Sequence, residues 1–223
     1  MLSFSDKEQK LLVKIASLYK KTKPLILFSE EIDPNYEGNV QVWKELRDAL
    51  DHLMRVFNRK LEKETLDEDD LRYIHSNLHK TVGHIYRAGC DALEGACLSL
   101  RSEIGKICEA FDLETLNAVI PSYWDKYSRL YRRSKEIAKL RAQKDVTDDE
   151  MERIFNAFVD IVEELRKLYE ELQERVPALK EYQRKKEAED HKQESKRLKH
   201  DVIVALIGAA IGAAATILIS YLH

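Results

Sequence analysis

The sequence predicts an all-α protein: a cytosolic helical bundle with a long heptad helix and stalk leading to one C-terminal transmembrane helix. Three observations carry this expectation. Gly and Pro number only 7 and 4 in 223 residues, too few turn residues for hairpin-rich β architecture. Apolar residues recur at helical spacing along nearly the whole chain. Val202 to Leu222 is 21 residues without a charge; as a helix rising 1.5 Å per residue it is about 30 Å long, the thickness of a bilayer's hydrocarbon core.

The elements follow in order. "SDKE" (Ser5 to Glu8) is a capping box that opens a helix to about Lys21, with Pro24 expected to close it. "DPNYEGN" (Asp33 to Asn39) reads as a loop. A second helix covers about Val40 to Glu64, with Val42, Leu46, Leu50, Leu53 and Phe57 at helical spacing. Thr65 or Asp67 caps a long third helix with no breaker until about Ala110. Its face of Leu71, Ile74, Leu78, Val82, Ile85, Gly89, Ala92 and Ala96 narrows to small residues, which predicts close packing of another helix there. A short helix near Asp112–Ile120 leads to Pro121, and a basic helix runs from about Ser122 to Lys144. "TDDE" (Thr147 to Glu150) is a second capping box. The helix after it carries Met151, Phe155, Phe158, Val162, Leu165, Tyr169, Leu172, Val176 and Leu179, alternating steps of four and three, a heptad seam that Pro177 interrupts. That seam suits either packing against the chain's own helices or self-association of identical chains.

The domain boundaries expected are 1–145 for the cytosolic bundle, 146–200 for heptad helix and charged stalk, and 201–223 for a transmembrane tail anchor. Eight Lys and Arg lie between Lys180 and Lys199 and only His223 follows the span. Positive charge stays cytoplasmic, so the N-terminal domain is placed in the cytoplasm and the protein is read as single-pass. Met1–Lys23 lacks the apolar core and cleavage site of a signal peptide.

The tail itself is unusual in composition. Gly208 and Gly212 form G-x-x-x-G, and Ala209, Ala213 and their neighbours leave Ile211 as the only large residue from Gly208 to Ala214. Lipid-embedded helices associate by close backbone approach, which small residues permit. The tail is therefore read either as a self-assembling element, with conduction between several copies, or as an alanine-rich anchor.

Four further stretches bear on chemistry. Ser122–Lys144 holds eight Lys/Arg against Asp125 and Glu136, a local balance of +6, interleaved with Tyr123, Trp124, Tyr127 and Tyr131. Cations track phosphates while rings stack on bases, so Tyr127, Arg129, Tyr131, Arg132 and Arg133 are the candidate ligand-binding residues for a nucleotide or oligonucleotide. The alternative is a basic face neutralised within the chain by acidic residues such as Asp145 and Asp148. "RDALDH" (Arg47 to His52) fits the R-x4–6-H signature of HEPN-type ribonucleases, with Arg47 and His52 as alternative catalytic residues. They sit about 140° apart on a continuous helix, and Arg72–His79 and Arg184–His191 fit the same spacing. His75, His79 and His84 lack a nearby carboxylate to complete a metal site, and no metal or cofactor is expected. Cys90, Cys97 and Cys108 fall on one helix face, too collinear to pair with each other. The net charge of −3 makes no whole-chain case for nucleic acid.

"VWKELRDALDHLMRVF" (Val42 to Phe57) and "HKTVGHIYRAGCDALEGACLSLR" (His79 to Arg101), with a single C-terminal span, resemble the tail-anchored helical membrane effectors of Hailong-type bacterial anti-phage defence. The resemblance implies an oligomeric inner-membrane channel whose cytosolic domain is held quiet by an oligonucleotide from a partner nucleotidyltransferase and released on infection. It covers the layout of the chain and transfers no binding residue position by position. The function expected is an oligomeric effector that permeabilises the membrane, with the lipid bilayer and other copies of the chain as partners. The alternatives are a membrane-tethered HEPN-like ribonuclease and a non-catalytic scaffold.

Overall fold

A computed structural model describes residues 3–33, 39–141 and 148–221, with the backbone alone at 141, 148, 210, 211 and 213–221. Among the described residues the protein is all-α, with six helices and no strand: α1 (Asp6–Ile32), α2 (Val40–Glu62), α3 (Glu68–Cys108), α4 (Leu113–Val119), α5 (Tyr123–Arg141) and α6 (Asp148–Tyr221). The expected loop at Asp33–Asn39 and the Thr147 cap fall largely outside the described residues. The chain divides into two units. One comprises Met1–Ala110 and Ser122–Glu174, the other Phe111–Pro121 and Arg175–His223.

In the first unit α3 is the helix on which the others pack. Its expected face is buried from Ile74 through Ala96, with Leu71 left exposed. Both α1 and α2 lie against α3. The small-residue stretch is indeed a close approach: a Cβ at Gly89 would meet the Phe155 ring at 2.5 Å and Thr22 at 3.2 Å. Phe155 of α6 also meets Tyr86 edge-on at 5.7 Å.

The capping box at Ser5 forms as expected, and it does more than start a helix. Glu8 Oε2 accepts from the Ser5 amide at 2.6 Å and from Lys60 Nζ at 2.9 Å, so the buried carboxylate fastens the start of α1 to the end of α2. Asp70 works similarly in the α3 box, where it closes the cap with Asp67 and takes Arg59 and Lys63 of the preceding segment.

Three sequence expectations are corrected. Pro24 does not end α1, which continues to Ile32. A mid-helix proline forfeits a backbone hydrogen bond and costs about 3 kcal/mol. Here Leu18 and Thr22 before it and Ile26 and Ser29 after it are all buried, and that packing holds the helix together. Pro177 likewise lies inside α6 without interrupting it. The third correction concerns α2, whose core face is Val42, Glu45, Ala49 and Val56, while Leu50 points outward. Two apolar stripes compete on α2, and the one with smaller side chains sits against α3.

The heptad seam of α6 is used inside the first unit, where Phe155, Phe158, Val162 and Leu165 are buried together with Ile154 and Ile161. In the second unit, Asp112 caps α4 through the Thr115 amide at 2.7 Å and receives Lys186 Nζ at 2.8 Å, with Glu114 as a second partner. Lys186 and the Thr115 amide hold the Asp112 carboxyl far below its usual range, and the two carboxylates raise Lys186. Leu116, Ile120 and Leu179 are buried.

Among the described residues no helix is long and apolar enough to cross a membrane. The run Val202–Leu222 lies for its greater part on residues whose side chains are outside the described set. Its described beginning, Val202, Ile203, Val204, Leu206 and Ile207, is helical and exposed.

Candidate functional site

The basic-aromatic stretch folds as α5, with Tyr123 and Leu130 buried, Arg129, Arg132, Lys135 and Lys139 exposed, and Lys126 and Arg133 half-buried. Tyr123 is pinned by its hydroxyl, 2.9 Å from Cys108 Sγ. Burial raises both this phenol and the Cys108 thiol above their ordinary values. From there the rings climb the helix: Tyr123 stacks on Tyr127 at 6.1 Å, and Tyr127 lies 6.4 Å from both Trp124 and Tyr131. Tyr131 is flanked by Arg101 at 4.2 Å and Lys135 at 4.6 Å. Hydrogen bonding and charge from Lys135 lower the Tyr131 phenol.

The α5 cations meet carboxylates of α6. Arg133 Nη1 lies 2.7 Å from Glu164, Arg129 Nη2 lies 3.6 Å from the same carboxylate, and Lys126 Nζ is 3.4 Å from Glu171. Arg132 donates to the Ser128 carbonyl at 3.4 Å. The structure thus brings Tyr127, Arg129, Tyr131, Arg132 and Arg133 onto one helix and sets Glu164 between two of the arginines. Neutralisation within the chain does occur, but through Glu164 and Glu171; Asp145 and the Asp148 side chain lie outside the described residues. A carboxylate held between two guanidinium groups occupies the position that an incoming phosphate would compete for.

Arg47 and His52 are not brought together. Helix α2 is continuous, with no kink to converge them. Arg47 is largely exposed and chelates Asp48 at 2.8 Å. His52 faces α3, its Nδ1 2.8 Å from Asn77 Oδ1 and its ring stacked on His84 at 5.1 Å. His84 Nδ1 lies 2.8 Å from Glu45 Oε2, which also takes Arg87 Nε at 2.8 Å. Burial raises the Glu45 carboxyl, but hydrogen bonds from Arg87 and His84 outweigh it and hold the group below its ordinary value.

This Glu45–His84–His52–Asn77 array was not legible as a set, although polar residues at inward α2 positions are the signal for it. Among the described residues no group of three or more His, Cys, Asp or Glu side chains is placed to hold a metal ion. Cys90 and Cys97 are buried and form no disulfide, and burial raises the Cys97 thiol.

In the tail, a Cβ at Gly208 or Gly212 would meet no atom within 4 Å among the described residues, the backbone of its own helix aside. Ala209 is exposed, and the Ala213 side chain lies outside the described residues.

Comparison with models of known protein families, with curated proteins and with solved structures finds no match.

Proposed function

We propose that the protein is a single-pass membrane effector of the bacterial inner membrane, antiviral in role, whose tails assemble into an ion-conducting path. On this reading a nucleotide or oligonucleotide made by a partner nucleotidyltransferase binds α5 and controls that path. The observation that carries the reading is α6. One unbroken helix supplies buried core side chains from Ile154 to Leu168 and continues through the uncharged run to Tyr221. The described beginning of that run, Val202 to Ile207, is exposed in the single chain, an apolar surface that lipid or other copies would cover. The cations of α5 are paired with carboxylates on this same helix, so a polyanion that takes Arg129 and Arg133 competes directly with Glu164 of α6.

Expression in bacterial cells with a potential-sensitive dye tests this. Wild type depolarises the membrane, and Gly208→Leu/Gly212→Leu inserts equally well without depolarising it. His52→Ala behaves as wild type. Were RNA breakdown to precede depolarisation, and His52→Ala to abolish both, the ribonuclease reading would replace this one.

A further inference from the structure

Helix α2 carries a second apolar face besides the one that buries Val42, Ala49 and Val56 against the core. It turns Glu45 and His52 toward α3 and presents large apolar side chains to solvent. Trp43, Leu50, Met54 and Leu61 are 56%, 57%, 42% and 71% exposed. With Arg47 and the half-buried Phe57 they complete a stripe at positions 43, 47, 50, 54, 57 and 61. The steps are four, three, four, three, four, the spacing of a seam that receives a second helix. Of these side chains Trp43, Arg47, Met54 and Phe57 are of the types that concentrate in protein–protein interfaces.

We propose that α2 of a second copy of this chain docks here, antiparallel, about a two-fold axis. The spacing of the stripe is symmetric about its centre between Leu50 and Met54, so two antiparallel copies meet position for position, as an isologous contact requires. In the antiparallel pair Trp43 stands opposite Leu61 of the second copy, Arg47 opposite Phe57, and Leu50 opposite Met54. The flanks carry no net charge to hold an identical surface off, because Arg47 pairs with Asp48 and Arg55 with Asp51, at 2.8 and 2.7 Å. There is also room for incoming side chains. A cavity of about 700 Å³ opens beside the stripe, walled by Leu12, Ala16 and Tyr19 of α1 and by Trp43, Leu46 and Leu50 of α2. This surface belongs to the first unit, so it goes beyond tail assembly and does not depend on it.

The test uses the full-length protein in isolated membranes and a short bis-maleimide. Leu50→Cys and, separately, Met54→Cys give a cross-linked dimer severalfold above wild type, whose own cysteines are buried or half-buried. Arg72→Cys, exposed on α3, stays at the wild-type level. Adding Trp43→Glu to Leu50→Cys removes the dimer, and adding Gly208→Leu/Gly212→Leu leaves it. Wild-type levels of cross-linking at both positions 50 and 54 overturn the proposal, as does an adduct with a different protein. A dimer that vanishes with the tail substitutions overturns it too, since the contact would then be imposed by the tail. If instead the dimer persists while those substitutions have no effect on depolarisation, tail assembly fails and the α2 interface stands.

Discussion

Glu164 accepts from Arg133 and lies near Arg129 on a partly exposed surface, where each such pair is worth about 0–1 kcal/mol. Its removal therefore costs little stability, but it changes what the two arginines can bind. Freed of an internal anion, they offer two guanidinium groups and the adjoining Tyr127–Tyr131 ladder to an external one. Glu164→Gln is expected to bind a single-stranded oligonucleotide severalfold more tightly than wild type in a fluorescence anisotropy titration, with an unchanged melting temperature. Equal or weaker binding would show that Glu164 does not compete with the ligand and would remove α5 as its site.

At the scale of elements, the α2–α3 seam makes a pH-dependent contribution whose sign is fixed. The Glu45 carboxyl sits below its ordinary value of 4.5 in the folded protein. The stability it contributes is fully present above that ordinary value and is lost as pH falls through the lowered one. Glu45→Gln is expected to cost about 1.5–3 kcal/mol at pH 7, the worth of hydrogen bonds to a charged group. The gap to wild type should close as pH falls below 4.5; denaturant unfolding at pH 7 and at acid pH measures it, and a gap independent of pH would contradict the assignment. This seam also shows what sequence periodicity reveals and what it hides. The existence and rough limits of α3 and α4 followed from a cap at Thr65 or Asp67, from Asp112 and from the spacing between, and the small face at Gly89 announced a close helix. Periodicity could not say which of two apolar stripes on α2 faces the core. Nor could it show that Pro24 is tolerated, since both outcomes depend on burial against α3. The α5 cations were visible in the sequence, but their partners Glu164 and Glu171, some 30 to 45 positions away, were not.

For the whole molecule, α6 runs from buried core side chains into the uncharged run, and on the proposed reading that run is a working part as well as an anchor. Small residues such as Gly208 and Gly212 permit close approach of another backbone in a bilayer, which leucine would block. Ion flux from liposomes containing the purified full-length protein measures this most directly, with Gly208→Leu/Gly212→Leu reconstituted at the same density. The account predicts flux from wild type, a change in that flux when a single-stranded oligonucleotide is added, and none from the leucine form. A tight membrane with wild type, with and without oligonucleotide, would contradict it and leave the tail an anchor.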